Sequence, residues 1–341
     1  MVTKFRAYPL VMYFIKRSRL QWHWVVVVVA VVLLLFLVLA AYLDGVLTEL
    51  SEWSLWQYFV DGPVLTIYIM VVYPFLWRLW WRSVQSLRSL LPIDKSDSDH
   101  VEMEVPIPNR RWEWLAILMG AIFWLSLWQP WGRNWGPGEL RWLSAYDVVT
   151  QTILFSLLSW LVYNSFVDSR YQRRLSGQLL NFEIFNTELF IPVARSSLGV
   201  SLAFIGGISL SLVFQTREDL LMWNNITVWA ILVCFAVLSF FLSMWSTHTA
   251  MANAKRRELS LARQHLVMAS HRLKNQAVQD KPRVMQEISS TITAWVNYER
   301  RVQEVPEWPF NAVMVRRLAA STLVPAVVFL IKVLSRLGFS F

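Results

Sequence analysis

The chain has 341 residues, of which 56% are hydrophobic and only 16% are charged, and its mean hydropathy is +0.41. A soluble globular domain is about 25% charged, so this composition excludes an ordinary soluble protein and indicates an integral membrane protein. The single cysteine, Cys234, excludes an intramolecular disulfide and a cysteine-based metal cluster. The net charge of +9 is distributed by membrane side rather than in a nucleic-acid-binding patch, as described below, so no nucleic acid is expected as a partner.

Apolar segments close to 20 residues long, roughly the length that crosses the hydrocarbon core of a bilayer, recur along the chain. Six are predicted to span the membrane, over residues 24–43, 63–77, 114–131, 148–167, 198–216 and 226–245. A seventh, over residues 318–334, is shorter and contains Pro325 and Lys332. It can be a further span or a re-entrant helix. The sequence therefore predicts an all-α integral membrane protein, a polytopic bundle of 6–7 transmembrane helices.

Basic residues are concentrated before the first span and in three later segments, where most of the 32 Lys and Arg residues lie. The positive-inside rule places these parts on the cytoplasmic side of a bacterial-type inner membrane. The predicted organisation is a transmembrane bundle over 1–246 with cytoplasmic loops at 78–111 and 168–197, a cytoplasmic helical hairpin over 247–305, and an interfacial turn with a C-terminal membrane segment over 306–341.

Few ionisable residues occur near the predicted spans. Asp61, Glu113 and Asp147 lie at span ends, where we expect them to be interfacial anchors. The segment after the third span is rich in Trp, Gly and Pro, and Trp128, Trp131, Trp135 and Trp142 can all lie at headgroup depth as interface anchors. Aromatic cages for cationic ligands use similar residues.

Small side chains repeat every four residues in the fifth span, at Gly199, Ala203, Gly207 and Ser211. Such a pattern allows close helix packing within a bundle, or it forms a subunit contact or a pore-lining face. In the fourth span, Gln151 and Asn164 either hydrogen-bond to neighbouring helices or face an aqueous path.

Two apolar stripes at three- and four-residue spacing follow the sixth span. The first contains Leu259, Leu266 and Leu273, with Ala262 and Ala269 between them; the second contains Ile288, Trp295 and Val302, with Thr291 and Tyr298 between them. The break around Pro282 predicts an antiparallel helical hairpin with a short coiled-coil seam. Its return to the membrane is predicted to form an interfacial collar of Pro306, Trp308, Pro309, Arg316 and Arg317, whose arginines can pair with anionic lipid at the inner face.

The segment ASHRLKNQAVQ, residues 269–279, contains His271-Arg272-Leu273-Lys274-Asn275. It resembles the box around the phospho-accepting histidine of sensor histidine kinases. That resemblance implies a downstream ATP-binding domain, but no Gly-rich nucleotide loop follows His271. Motifs for nucleophilic catalysis and for metal binding are also missing from the sequence. We therefore expect no enzymatic activity and no cofactor, and we interpret the segment as the end of a helical stalk.

Two classes of function remain. The first is an oligomeric channel- or pore-like protein for ions or small solutes, embedded in the lipid bilayer as a homo-oligomer. The second is a membrane sensor or scaffold whose hairpin, 247–305, docks a cytoplasmic partner protein.

Overall fold

The computed structural model describes residues 9, 21–47, 53–88, 109–130, 141–177, 190–215, 222–277, 282–308 and 312–336. About 94% of these residues are helical and none of them forms a strand, which confirms the all-α class for this part of the chain. The predicted collar residue Pro309 and the turn at 278–281 lie outside the described residues.

Eight helices are described. They are α1 (Trp22–Leu43), α2 (Trp53–Arg88), α3 (Arg110–Trp128), α4 (Arg141–Gly177), α5 (Ile191–Phe214), α6 (Trp223–Ala277), α7 (Pro282–Glu304) and α8 (Ala312–Arg336).

Within the described residues, five helices are long and apolar enough to cross a membrane: α1, α2, α4, α5 and α6. The predicted third and seventh spans fall on α3 and α8, which are not among the five. In α3, Arg111 and Glu113 lower the hydropathy of a helix that is only 19 residues long.

Two of the helices continue into segments that were predicted to be loops. Helix α2 extends to Arg88 and α4 extends to Gly177, so parts of 78–111 and of 168–197 are helical. The reason is that an apolar face continues beyond the first basic residue of each segment. Trp80 and Val84 remain buried on α2, as does Leu175 on α4.

Four helices form a closed ring. Helix α2 packs against α4 and α5, and α6 packs against the same two helices from the opposite side. Helix α1 lies against α2 and α4, α3 lies against α4, and α8 lies against α5. The main hydrophobic core fills this ring and includes Tyr73 and Trp160, whose ring centroids are 4.7 Å apart. We refer to the end of the ring where α6 continues towards α7 as the hairpin end, and to the opposite end as the far end.

Asp44, just after α1, fixes the start of α4. Its two carboxylate oxygens accept hydrogen bonds from the backbone N–H groups of Trp142 (3.1 Å) and Leu143 (2.8 Å). These N–H groups have no partner within the first turn of their own helix, and a negative charge there is favourable. A side chain from outside the helix therefore caps two N–H groups of its first turn.

Glycines allow two close helix contacts. A Cβ atom on Gly120 of α3 would overlap the backbone oxygen of Phe155 in α4. On Gly199 of α5 the nearest atom would be the side-chain Cδ1 of Leu79 in α2, at 2.6 Å. The first contact involves rigid backbone, whereas the second involves the end of a flexible side chain.

Helices α6 and α7 pair in antiparallel order beyond the ring. The Tyr298 hydroxyl donates to Glu258 (2.8 Å), and Arg263 pairs with Glu299 (3.0 Å). Burial raises the pKa of the Tyr298 phenol, and the hydrogen bond to the Glu258 carboxylate raises it further. The imidazole of His265 stacks on Trp295 at 4.3 Å.

The predicted seam residues lie between these two helices. Ala262, Ala269 and Val302 are buried; Leu259, Leu266, Leu273, Ile288 and Trp295 are partly buried. Thr291 is exposed and Ile292 takes the inward position instead. From Ile288 to Trp295 the partly buried positions are spaced by four residues and then by three. Ile292 therefore lies on the inward side of the helix, and Thr291 does not.

Replacement of Val302 by aspartate will separate α7 from α6. Val302 is 0% exposed, and an unpaired charge buried there costs about 3 kcal/mol or more. Amide hydrogen exchange across α7 should become much faster. The matched control is Val296→Asp on the same helix, where the side chain is 49% exposed, and exchange should stay at the wild-type rate. Equal exchange in the two variants would contradict the packing described.

A second prediction compares two glycines. Gly120→Ala will destabilise the α3–α4 contact by about 1–3 kcal/mol, the usual cost of overpacking, because the backbone of Phe155 cannot move aside. Gly199→Ala should cost much less, because the Leu79 side chain can adopt another rotamer. Thermal unfolding of the two purified variants measures the difference. A larger loss from Gly199→Ala would show that the rigid contact has been assigned to the wrong helix pair.

Candidate functional site

A cavity of about 300 Å³ lies in the far half of the helix ring. All four ring helices line it, and α3 adds Trp124 and Trp128 to its wall. We call it the far cavity. Its volume is at the lower end of the range for small-molecule sites in proteins.

The polar end of the far cavity contains two buried carboxyl groups. Asp61 of α2 is 7% exposed and Asp147 of α4 is 6% exposed. Gly62 permits the close approach of these two helices, since a Cβ there would lie 3.3 Å from Thr150 Oγ1 and 3.4 Å from Gln151 Nε2. The glycine thus brings the two carboxyl groups to the same end of one cavity.

An amide chain holds one side of the Asp61 carboxyl group. Asn225 Nδ2 donates to Gln215 Oε1 (3.1 Å), and Gln215 Nε2 donates to Asp61 Oδ2 (3.4 Å). The other oxygen, Asp61 Oδ1, is buried and has no hydrogen-bond partner among the residues that the structure describes. Lys332 of α8 lies nearby and donates to the backbone oxygens of Val213 and Gln215.

The remaining wall of the far cavity is aromatic and aliphatic. Seven aromatic residues from five helices line it: Tyr68, Trp124, Trp128, Phe155, Phe204, Phe214 and Trp229. The Tyr68 hydroxyl donates to the backbone oxygen of Ala203 (2.8 Å), which fixes its ring against α5. The described lining residues include no Lys, Arg or His.

A second, much smaller space of about 20 Å³ lies towards the hairpin end. This volume suffices for about one water molecule. The polar residues around it, which we call the polar cluster, are Asn164, Ser165, Asp168, Ser169, Gln172, Ser196, Ser197 and Ser239. Gln172 Nε2 connects α4 to its neighbours by donating to Ser83 Oγ (2.9 Å) and to Ser196 Oγ (3.4 Å).

Several serines in the polar cluster bond to carbonyls of their own helices. Ser165 Oγ donates to Leu161 O (2.8 Å), and Ser197 Oγ donates to Val193 O (3.0 Å). Such bonds satisfy a hydroxyl inside an apolar helix bundle without fixing it to another helix.

Leu161 separates the two spaces. Leu161 is 6% exposed and lines both the far cavity and the smaller space. Towards the far end, α4 contributes Leu158 and Gln151, and towards the hairpin end it contributes Asn164 and Asp168. The two spaces therefore follow one another along the ring interior, with Leu161 between them.

The residues predicted to be packing or pore-lining divide between these features. Ala203, Gly207, Ser211 and Gln151 line the far cavity, while Asn164 belongs to the polar cluster and donates to Trp160 O (2.9 Å). Gly199 lines neither space and faces Leu79 and Leu76 of α2. The small side chains thus have two roles, close packing at one end of α5 and cavity formation at the other.

The three acids and Trp128, which were expected to be interfacial anchors, lie against other helices of the bundle. Asp61, Asp147 and Glu113 are buried within the bundle, and Glu113 accepts a hydrogen bond from Trp160 Nε1 (3.2 Å). Trp128 lines the far cavity and contacts Phe155 at a centroid distance of 5.5 Å. A signal for Asp61 and Asp147 was present, because each lies within a turn of polar residues such as Gln57 or Gln151 that an interfacial anchor does not need.

The structure describes four of the five predicted collar residues, all but Pro309. Trp308 stacks on His248 at 3.9 Å and packs against the main core, and Lys255 donates to the backbone oxygens of Gln303 and Val305 at the end of α7. Pro306 is exposed, as are Arg316 and Arg317 at the start of α8.

His271 is exposed on α6, near its end and remote from both internal spaces. The described residues contain no group of three or more His, Cys, Asp or Glu side chains that is arranged to hold a metal ion. The two internal spaces of the ring are therefore the candidate functional site.

Comparison of the chain with protein-family models, with curated proteins and with solved structures gives no match, so a function has to follow from the geometry of the ring itself.

Proposed function

We propose that this chain is a multi-pass membrane protein with channel-like function, and that the interior of the α2–α4–α6–α5 ring is a pathway for cations. In the state described, Leu161 closes the pathway. No enzymatic step is part of the proposal.

One observation carries it. Each of the four ring helices lines the far cavity with one part of its length and the smaller space with the next part. Leu161 borders both spaces. A water-filled route interrupted by a single hydrophobic layer is a known form of closed gate, in which the apolar constriction excludes water. Movement of one side chain or a small rotation of α4 would join the two spaces.

The charge of the lining favours cations over anions. Asp61 and Asp147 lie at the far end and Asp168 lies in the polar cluster, and the described lining residues of both spaces include no basic side chain. Acidic side chains along a pore raise the local concentration of cations and repel anions.

The packing also supports two membrane segments besides the five apolar helices. Helix α8 runs beside α5 from the collar to Lys332, whose Nζ lies 2.7 Å from Gln215 O at the end of α5. This arrangement supports α8 as a further membrane segment, and α3 against α4 supports another. We further propose that the N-terminus and the hairpin are cytoplasmic in an inner membrane, that Arg316 and Arg317 face anionic lipid, and that the exposed apolar faces hold a homo-oligomer together.

A second function has one observation in its favour. The hairpin exposes apolar side chains, among them Leu261, Val267 and Met268, and such residues are common at protein interfaces. A sensor or scaffold that docks a cytoplasmic partner through 247–305 predicts no conductance. It also predicts a partner that co-purifies and is lost when residues 258–304 are deleted.

Leu161→Ala will open the pathway. Removal of the side chain lets water cross the apolar layer, so we expect the potassium flux of proteoliposomes to rise about tenfold or more, which corresponds to a barrier roughly 1.4 kcal/mol lower. Chloride flux in the same vesicles should stay close to that of empty liposomes.

The matched control is Leu118→Ala, a change of the same kind on α3 where the side chain is 59% exposed. It should leave the potassium flux at the wild-type level. The proposal fails if Leu161→Ala, eluting as a folded protein in size-exclusion chromatography, conducts no better than Leu118→Ala.

A further inference from the structure

The far cavity combines an open carboxylate oxygen with a large apolar volume. Asp61 is 93% buried, its Oδ2 is bound by Gln215, and its Oδ1 has no partner among the described residues. A buried acceptor without a hydrogen bond is costly, so the site lacks a donor that a ligand can supply. Asp147 lines the same cavity and adds negative charge at the same end.

A bare inorganic cation would satisfy only this polar end. It would leave most of the volume of about 300 Å³ unoccupied, because the rest of the lining is aromatic and aliphatic. Ligand sites of this kind, apolar walls with a few polar groups at one end, bind molecules with a polar head and an apolar body. Tyr68, Trp128 and Trp229 offer aromatic faces, which attract cations as well as hydrocarbon.

We propose that the far cavity binds a primary organic ammonium ion with a hydrophobic body. The ammonium group donates to Asp61 Oδ1 and lies near Asp147, while the body packs against the aromatic wall. The amide chain of Asn225 and Gln215 holds the carboxyl group in place, so Oδ1 stays directed at the ligand. The site lies within the conduction pathway proposed above, but its binding test is separate from conduction, because binding does not require passage of Leu161.

The probe for this site is 4-phenylbutylammonium, which carries both the charge and the hydrophobic body. Two analogues each lack one of these parts: 4-phenylbutanol keeps the body without the charge, and methylammonium keeps the charge without the body. Binding is measured by isothermal titration calorimetry on the full chain in lipid nanodiscs, in mildly alkaline buffer. The heat of partition into empty nanodiscs is subtracted.

We expect saturable binding of 4-phenylbutylammonium to the wild-type protein. Each analogue should bind about tenfold more weakly or worse, as expected for loss of one charge-assisted hydrogen bond or of the apolar contacts. Asp61→Asn removes the charge and keeps the shape, and should weaken binding of the ammonium ion about tenfold. The matched control, Glu113→Gln, changes a buried carboxyl group that lines neither internal space, and this variant should bind as the wild-type protein does.

A second pair of variants covers the case in which Asp61→Asn does not fold. Trp128→Ala removes part of the cavity wall and should weaken binding, whereas Trp142→Ala, at an exposed position, should not. The proposal is overturned if wild-type binding is not saturable or if 4-phenylbutanol binds as tightly as the ammonium ion. Wild-type affinity in a folded Asp61→Asn or Trp128→Ala variant would also overturn it.

Discussion

Packing of α2 and α6 against the same two helices, α4 and α5, determines where polar side chains lie in this protein. A ring of four apolar helices has one interior, where buried serines, amides and carboxyl groups can find partners away from lipid. The described residues meet this constraint in two ways. In the polar cluster Ser165 and Ser197 bond to carbonyls of their own helices, and at the far end Asn225 and Gln215 hold Asp61.

The two internal spaces differ because the residues that fill them differ. At the hairpin end the large side chains of Tyr73, Trp80 and Trp160 leave a space of only about 20 Å³. At the far end, α5 presents Ala203, Gly207 and Ser211, and the missing side-chain volume contributes to a cavity of about 300 Å³. The small side chains that repeat every four residues on α5 therefore create cavity volume as well as allowing close helix packing.

The hairpin is joined to the ring by more than the continuous helix α6. Lys255 holds the end of α7 through two backbone oxygens and an ion pair with Glu307, and Trp308 stacks on His248 while it packs against the core. These contacts fix the end of α7 to the part of α6 that lies nearest the ring.

Periodicity predicted the helices, the ladder and the two hairpin stripes, because apolar positions that repeat at helical spacing are a property of the sequence alone. It did not predict the position of Asp61, Asp147 or Glu113. A charge at the end of an apolar run indicates a membrane interface, and only the three-dimensional approach of α2 to α4 at Gly62 shows that Asp61 and Asp147 share a cavity. Hydropathy likewise ended α2 and α4 too early, since their buried faces continue among basic residues on the opposite face.

The proposed pathway requires two hydrated spaces separated by a dry layer at Leu161. A cryo-electron microscopy map of the full chain in lipid nanodiscs, at a resolution that shows ordered water, tests this directly. We expect water density beside Asp61 and Gln151, further water in the polar cluster, and none at the level of Leu161. A far cavity filled by a lipid acyl chain, or a dry polar cluster, would contradict the pathway.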